Sequence, residues 1–348
     1  MSRIYKSIQP TSQRSEYLEN TNVSFRLSFE GQQIVQNSVR LCGNLFVDNI
    51  HASTYDAVTG VHSAFSQISV EMAKRGMVES LQALPRWMKM QSETRQNDTE
   101  ILSNSVNTTS LTLAKDDQTQ KFLAGVKELN KLPFACRLNC CLNNANGAIR
   151  WSRSGAITLN IRLASKDQFL SSTTAGTAYK LTHLELMYQT VPEQKSSKPV
   201  ESSTYYMVKH TLNSANSSIN TKIPQNVQSV SASFILASRE NTSTYNNLEC
   251  AVLPSVSRVQ FTFNDSQNLV LQNITSEQEI LYNYLRSMGV RDFNNIRVNT
   301  LVNESKTYGI GLNFYRPVSE RVGMEIVSGV SNATPTSMYL YFRSVLSF

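Results

Sequence analysis

Charge is scarce in this chain. Asp, Glu, Lys and Arg make up 17% of its 348 residues, which excludes an extended polyelectrolyte and disfavours disorder. The net charge of +7 is dispersed: Arg3, Lys6 and Arg14 are followed closely by Glu16 and Glu19, and no Lys/Arg run occurs. No specific nucleic-acid groove is therefore expected. Cysteine is also sparse, at five residues, too few for a disulfide framework in a chain of this size. No run approaches the ~18–20 apolar residues of a membrane-spanning helix. The opening Met1-Ser2-Arg3-Ile4-Tyr5-Lys6 is polar and lacks the apolar stretch of a signal peptide, so synthesis in a reducing compartment, without secretion, is expected. On that reading the sequons at Asn22, Asn107, Asn241, Asn273 and Asn332 are products of an Asn/Ser/Thr-rich composition.

Catalytic chemistry is missing too. Four histidines, His51, His62, His183 and His210, are scattered without metal-ligand spacing. There is no G-x-S-x-G elbow, P-loop or dinucleotide fingerprint. Cys136, Cys140 and Cys141 form the one cluster that invites a metal, but they fall on one expected strand. Cys136 and Cys140 would stand about 13 Å apart there, too far to share a zinc ion, with Cys141 facing the other way. They read as small buried hydrophobes. Trp87 reads as a core anchor in preference to a ligand-stacking platform. No enzyme, no catalytic, cofactor-binding or metal residue, and no cofactor is expected.

What the chain does have is period-two alternation, with neutral polar residues between the apolar ones. Phe25, Leu27 and Phe29 share a parity. So do Val39, Leu41, Leu45 and Val47 across Gly43, a candidate bulge. Phe134, Cys136, Leu138, Cys140 and Leu142 alternate, and Ile157, Leu159, Ile161 and Leu163 do so most cleanly. Further along, Leu184, Leu186 and Tyr188 alternate against His183, Glu185 and Met187. Val230, Ala232, Phe234 and Leu236 alternate against Ser229, Ser231 and Ser233. Ile310, Leu312 and Phe314, then Val322, Met324 and Ile326, then Met338, Leu340 and Phe342 complete the set. Such alternation belongs to antiparallel sheets with one buried face.

The second half also replays the first. A strand over 66–72, a turn over 73–76 and a strand over 77–81 lead into a helical segment opened by Pro85. About 190 residues later, Val259, Phe261 and Phe263 alternate, 264–268 turn, 269–271 return, and Ser276 caps a helix containing Glu277, Glu279, Ile280, Tyr284 and Leu285. Two copies of one β-rich unit is a restrictive plan.

Specific stretches resemble the double jelly-roll major capsid proteins, the lineage of tailless membrane-containing phages, adenoviruses, virophages and polinton-like viruses. Val61-His62-Ser63-Ala64-Phe65-Ser66-Gln67-Ile68-Ser69-Val70-Glu71, then Gly76-Met77-Val78-Glu79-Ser80-Leu81 and Leu84-Pro85-Arg86, are similar to an early hairpin-and-helix segment of the polinton-like, adintovirus-like and virophage members. Residues 157–165 resemble the last strand of a first jelly roll, 181–188 the opening strand of a second, and Pro335-Thr336-Ser337-Met338-Tyr339-Leu340-Tyr341-Phe342 its closing strand.

The resemblance implies an all-β chain of two consecutive eight-stranded antiparallel jelly rolls, each with a short helix after an internal hairpin. The expected division is an N-terminal arm over 1–21, a first roll over 22–170, a linker over 171–177 and a second roll over 178–348. Apical loops are expected over 91–120, 192–204 and 213–226. The implied function is a structural major capsid protein of a DNA virus, whose homotrimer makes a pseudo-hexagonal capsomer that tiles an icosahedral shell. The implied partners are itself, neighbouring capsomers, and penton and minor capsid proteins. The N-terminal arm is expected against an internal membrane or a neighbouring subunit. The implied location is the virion, after synthesis in the host cytoplasm or nucleus. Two alternatives share the strand pattern: a carbohydrate- or receptor-binding β-sandwich protein, and a minor or vertex capsid protein.

Overall fold

A computed structural model describes residues 3–48, 53–56, 59–95, 131–172, 177–194, 198–250, 253–263, 272–290 and 309–348. The chain first lays down β1 (Ile4–Ile8), β2 (Glu16–Leu18), β3 (Asn22–Leu27), β4 (Gln32–Ile34), β5 (Arg40–Val47) and β6 (Ser53–Tyr55). Then come β7 (Phe65–Met72), β8 (Gly76–Gln82) and the helix α1 (Leu84–Arg95). The segment that follows holds β9 (Lys131–Arg137), α2 (Cys141–Asn144), β10 (Ile149–Arg150), α3 (Trp151–Ser154) and β11 (Ile157–Leu163). The first unit closes with α4 (Lys166–Phe169), β12 (Leu170–Ser172) and β13 (Tyr179–Pro192). The second unit has β14 (Glu201–Leu212), β15 (Asn216–Leu236), β16 (Arg258–Phe263), β17 (Gln272–Ile274), the helix α5 (Glu277–Ser287), β18 (Ile310–Val327) and β19 (Thr336–Ser347).

Two packed sheets make the first unit. One runs β3-β11-β7-β8, all antiparallel. Its register follows the alternation: Leu159 lies opposite Phe25 on one side and Val70 on the other, and all three are fully buried. A one-residue slip would turn that whole row to solvent. In the other sheet β13 is central. It pairs with β1 and β2 along one edge and with β4 and β5 along the other, and β9 flanks β5.

The second unit repeats this order with fewer breaks. Residues 227–236 of β15 sit between β19 and the start of β18, with β14 outside β19. Residues 216–223 pair with the far end of β18, which then pairs with β16, and β16 with β17. Thus β15 and β18 each pass through both sheets. In each unit the helix follows the same hairpin. Pro85 sits in the first turn of α1, where a missing N–H costs nothing. Ser276 caps α5 by accepting from the Glu279 N–H at 3.2 Å, and Glu277 and Glu279 face the positive end of the helix dipole. A single apolar cluster runs through both units.

Several expectations are corrected. The expected arm over 1–21 supplies β1 and β2, which complete the first unit's sheet by pairing with β13. The strand expected to open the second roll is β13 itself, bound to β5. Ser171 and Ser172 of the expected linker belong to β12, paired to β6, just after α4 with its Ser165–Gln168 capping box. Residues 216–223 are strand, although an apical loop was expected over 213–226.

The strand through Cys136 ends at Arg137, where the chain turns into α2. Gly43 is not bulged. The irregularity lies on the partner strand between Thr182 and Glu185, where His183 has φ +51°. Gly43 gives Leu184 room, because a Cβ there would lie 2.7 Å from its Cδ2. Ser229, Ser231 and Ser233 are buried like their apolar neighbours, since helix and loop residues cover that face. The turn over 264–268 and the return over 269–271 lie outside the described residues, as do His51 and most of the 91–120 segment.

Candidate functional site: the seam and the outer walls

The seam between the units is built on α1. Trp87 reaches across to the second unit, its ring centroid 4.5 Å from that of Tyr205 and 5.1 Å from that of Tyr341. The Tyr341 hydroxyl donates to the Ala83 carbonyl at 2.9 Å. Trp87 is 2% exposed, so it is a structural anchor and its ring face is not available to a ligand. Beside it the buried Arg86 guanidinium donates to the Ser233 hydroxyl and the Glu249 carbonyl, both at 3.2 Å, and to the Asn247 carbonyl. It also lies over the Tyr339 ring, 4.8 Å from the centroid.

A buried ion pair strengthens this contact. Lys89 of α1 meets Asp56 at 2.6 Å, and Asn246 of the second unit donates to the same carboxylate at 2.7 Å. Burial alone would raise the Asp56 carboxyl, but the Lys89 charge and these hydrogen bonds outweigh it and hold the group well below its ordinary range.

Glu79 is the opposite case. It is 3% exposed and accepts from the Cys141 N–H at 2.6 Å and from the Tyr205 N–H at 3.3 Å. Burial pushes its carboxyl up to about 7, with those backbone donors only partly offsetting the cost. Its position explains its presence. β14 is the terminal strand of its sheet, and an unpaired edge invites association with other chains. The first unit covers it. Ala145 bridges Ser202, the Asn146 N–H donates to the Glu201 carbonyl at 2.8 Å, and Ser202 donates to the Cys141 carbonyl at 2.6 Å.

The outer wall made by the β13 sheet is less polar than the rest of the surface pattern implies. Tyr5 is 70% exposed, Leu18 56% and Met187 41%. Ser7 pairs with Met187 and Tyr5 with Gln189, so these side chains share the solvent face of adjacent strands. Cys42 joins them, its sulfur 3.4 Å from that of Met187.

The residues singled out in the sequence do not converge on a reaction centre. Cys136, Cys140 and Cys141 are buried, and burial raises all three thiols, Cys140 to about 12, which suits small hydrophobes and not ligands or nucleophiles. His62 is buried between the Thr59 and Arg137 carbonyls, His183 is exposed on a bulge, and His210 is hydrogen-bonded to Thr221. Among the described residues no three His, Cys, Asp or Glu side chains gather to hold a metal ion. Asp56, Glu79, Arg86 and Lys89 were missed by sequence reasoning. One signal was present: Glu79 shares the inward parity of Leu81, an unusual place for a carboxylate.

Two jelly rolls of the same strand order, joined in one polypeptide through a buried seam, define a double jelly-roll fold. The solved structures that share it are viral capsid proteins. The major capsid protein of Faustovirus matches with a TM-score of 0.70 at 8% identity, over 100% of this chain and 90% of that one. PBCV-1 VP54, as fitted into a reconstruction of the virophage Sputnik, matches with a TM-score of 0.58 at 11% identity, over 100% of this chain and 95% of the other. The mavirus major capsid protein matches with a TM-score of 0.50 at 9% identity, over 98% and 86%. No protein-family model and no curated protein sequence matches the chain.

Proposed function

We propose that this chain is a structural major capsid protein whose homotrimer forms a pseudo-hexagonal capsomer of an icosahedral virion, without enzymatic activity. The observation that carries this reading is the full-length double roll itself. Each roll presents side walls, three chains present six similar wedges, and the buried seam holds each pair of wedges at a fixed angle. The apolar wall around Tyr5, Leu18 and Met187 supports it, because exposed apolar patches on soluble folds mark contact surfaces. Penton and minor capsid proteins are further partners on this reading, and the virion is where the chain resides after synthesis in the host cell. We take the first roll to run from residue 3 to 192 and the second from 201 to 348. The N-terminal residues then serve the first roll's sheet and are not a free arm reaching to a membrane.

Light scattering on a sizing column tests this, with negative-stain images of the same peak. The expected result is a stable species of about 117 kDa, three times the 39.1 kDa chain, with a hexagonal outline. A persistent monomer with no higher species would overturn the capsomer reading. Obligate interfaces of this kind bury more than ~2,000 Å² and survive dilution.

A further inference from the structure

The two rolls leave a cleft on one side of the seam. The first roll contributes β11, the end of β8 and the start of α1; the second contributes β14, β19 and the loop after β15. Its volume is about 440 Å³, the size of a small-ligand pocket and too small for a folded partner.

The floor is an internally satisfied network. Lys209 meets the two Glu240 carboxylate oxygens at 2.6 and 2.8 Å, and its ammonium lies 5.5 Å from the Tyr339 ring centroid. Glu240 also accepts from Ser337 at 2.6 Å and from the Tyr339 hydroxyl. Arg86 is held by the three oxygens named above. Three cations and one carboxylate thus line the cleft, and its field is positive.

The rim is different. Arg162 of β11, Gln82 at the end of β8 and Asn241 beyond β15 all line the cleft and are exposed. None of the three side chains has a hydrogen-bond or ion-pair partner among the described residues. One uncommitted guanidinium fork suits one carboxylate. Two uncommitted primary amides, each donor and acceptor, suit neighbouring hydroxyls. Pro85 and Met207 supply the apolar flank on which a sugar ring rests.

We propose that this cleft binds a monoanionic saccharide unit of the hexuronic or sialic-acid type, its carboxylate on Arg162 and its hydroxyls on Gln82 and Asn241. A polyphosphate fits poorly, because Lys209 and Arg86 are already committed and a single free fork remains. The site lies within one chain and does not depend on assembly.

Saturation-transfer NMR and calorimetry on the full chain test the assignment with glucuronate, N-acetylneuraminate, glucose and inorganic phosphate. Saturable binding of at least one acidic sugar is expected, at least about tenfold tighter than glucose, the scale of a charge-assisted contact. Arg162→Gln should weaken it by about tenfold and Gln82→Ala by a few-fold, while Lys222→Gln, far along β15, should leave it unchanged. Binding of neither acidic sugar, equal binding of glucose, stronger binding of phosphate, or indifference to Arg162→Gln would each overturn the proposal. The thermal melt of each variant, matched to the parent, separates lost binding from lost folding. None of these outcomes alters the oligomer mass, so failure here and failure of the capsomer reading are distinguishable.

Discussion

Among the described residues Glu79 meets backbone amides and no cation, and the thiols of Cys140 and Cys141 lie beside it. Unfolded, the carboxyl titrates near 4.5; folded, near 7. Between those values the folded chain keeps a proton that the unfolded chain has released. The stabilisation is therefore complete below pH 4.5 and is lost as pH climbs to about 7. The loss amounts to roughly 3 kcal/mol, at about 1.4 kcal/mol per pH unit. Urea unfolding at pH 5 and pH 7.5 should show the parent losing stability by about this amount relative to Glu79→Gln, whose amide cannot ionise. A parallel pH dependence in the two proteins would contradict the assignment. Asp56 works the other way: its depressed carboxyl adds stability above the unfolded value and gives it up as pH falls. Little of this was legible beforehand. Parity marked Glu79 as inward, but Asp56 and Lys89 find each other, and Asp56 finds Asn246, only through contacts distant in sequence.

Elements with one wet face could be read in full, whereas in those buried on both faces only the aliphatic row could be read. β11 shows its alternation because Thr158, Asn160 and Arg162 face outward between Ile157, Leu159, Ile161 and Leu163. In β19 both faces are covered: Tyr339 and Tyr341 meet α1 while Met338, Leu340 and Phe342 meet the core. The opening of β15 looked like a loop because its inward row has only Ile219 and Ile223 as aliphatics, with Thr221 between them. β1 and β2 escaped notice because each is too short to show alternation and carries exposed apolar residues, and their pairing is dictated by the 14-residue β13. The β13 bulge offers a test at this scale. Gly43→Ala places a methyl against Leu184 Cδ2 and 3.1 Å from the Thr182 carbonyl oxygen, and overpacking of that kind costs about 1–3 kcal/mol. Denaturant midpoints should show the loss, and Leu184→Ala added to Gly43→Ala should cost less than the sum of the two single changes. Simple additivity would mean the two sites are independent.

At the scale of the molecule the seam decides how the chain unfolds. Trp87 and Arg86 tie α1 to the second roll, Asn246 ties that roll to the Lys89–Asp56 pair, and the cover over β14 is taken from the first. Separating the rolls would expose a strand edge and strand buried charges. Calorimetry should therefore show one transition with matching calorimetric and van't Hoff enthalpies, although chains of this length often unfold in steps. Two resolved transitions would show that the seam is weaker than its contacts imply. The first hairpin, the strand through Phe261 and both helices were legible in the sequence, but the place where one roll ends was not. β13 carries the same alternation as any opening strand, and only its pairing with β5 assigns it backwards.

The long course of β15 and β18 has a mechanical consequence. In both rolls the chain bends at residues in the left-handed region: Asn37 (φ +58°) between β4 and β5, Asn226 (φ +58°) in β15 and Glu320 (φ +79°) in β18. In the second roll β15 and β18, of 21 and 18 residues, stay paired on both sides of these bends. Strain applied across the second roll would therefore concentrate near Asn226 and Glu320, where the register of β15 against β18 shifts.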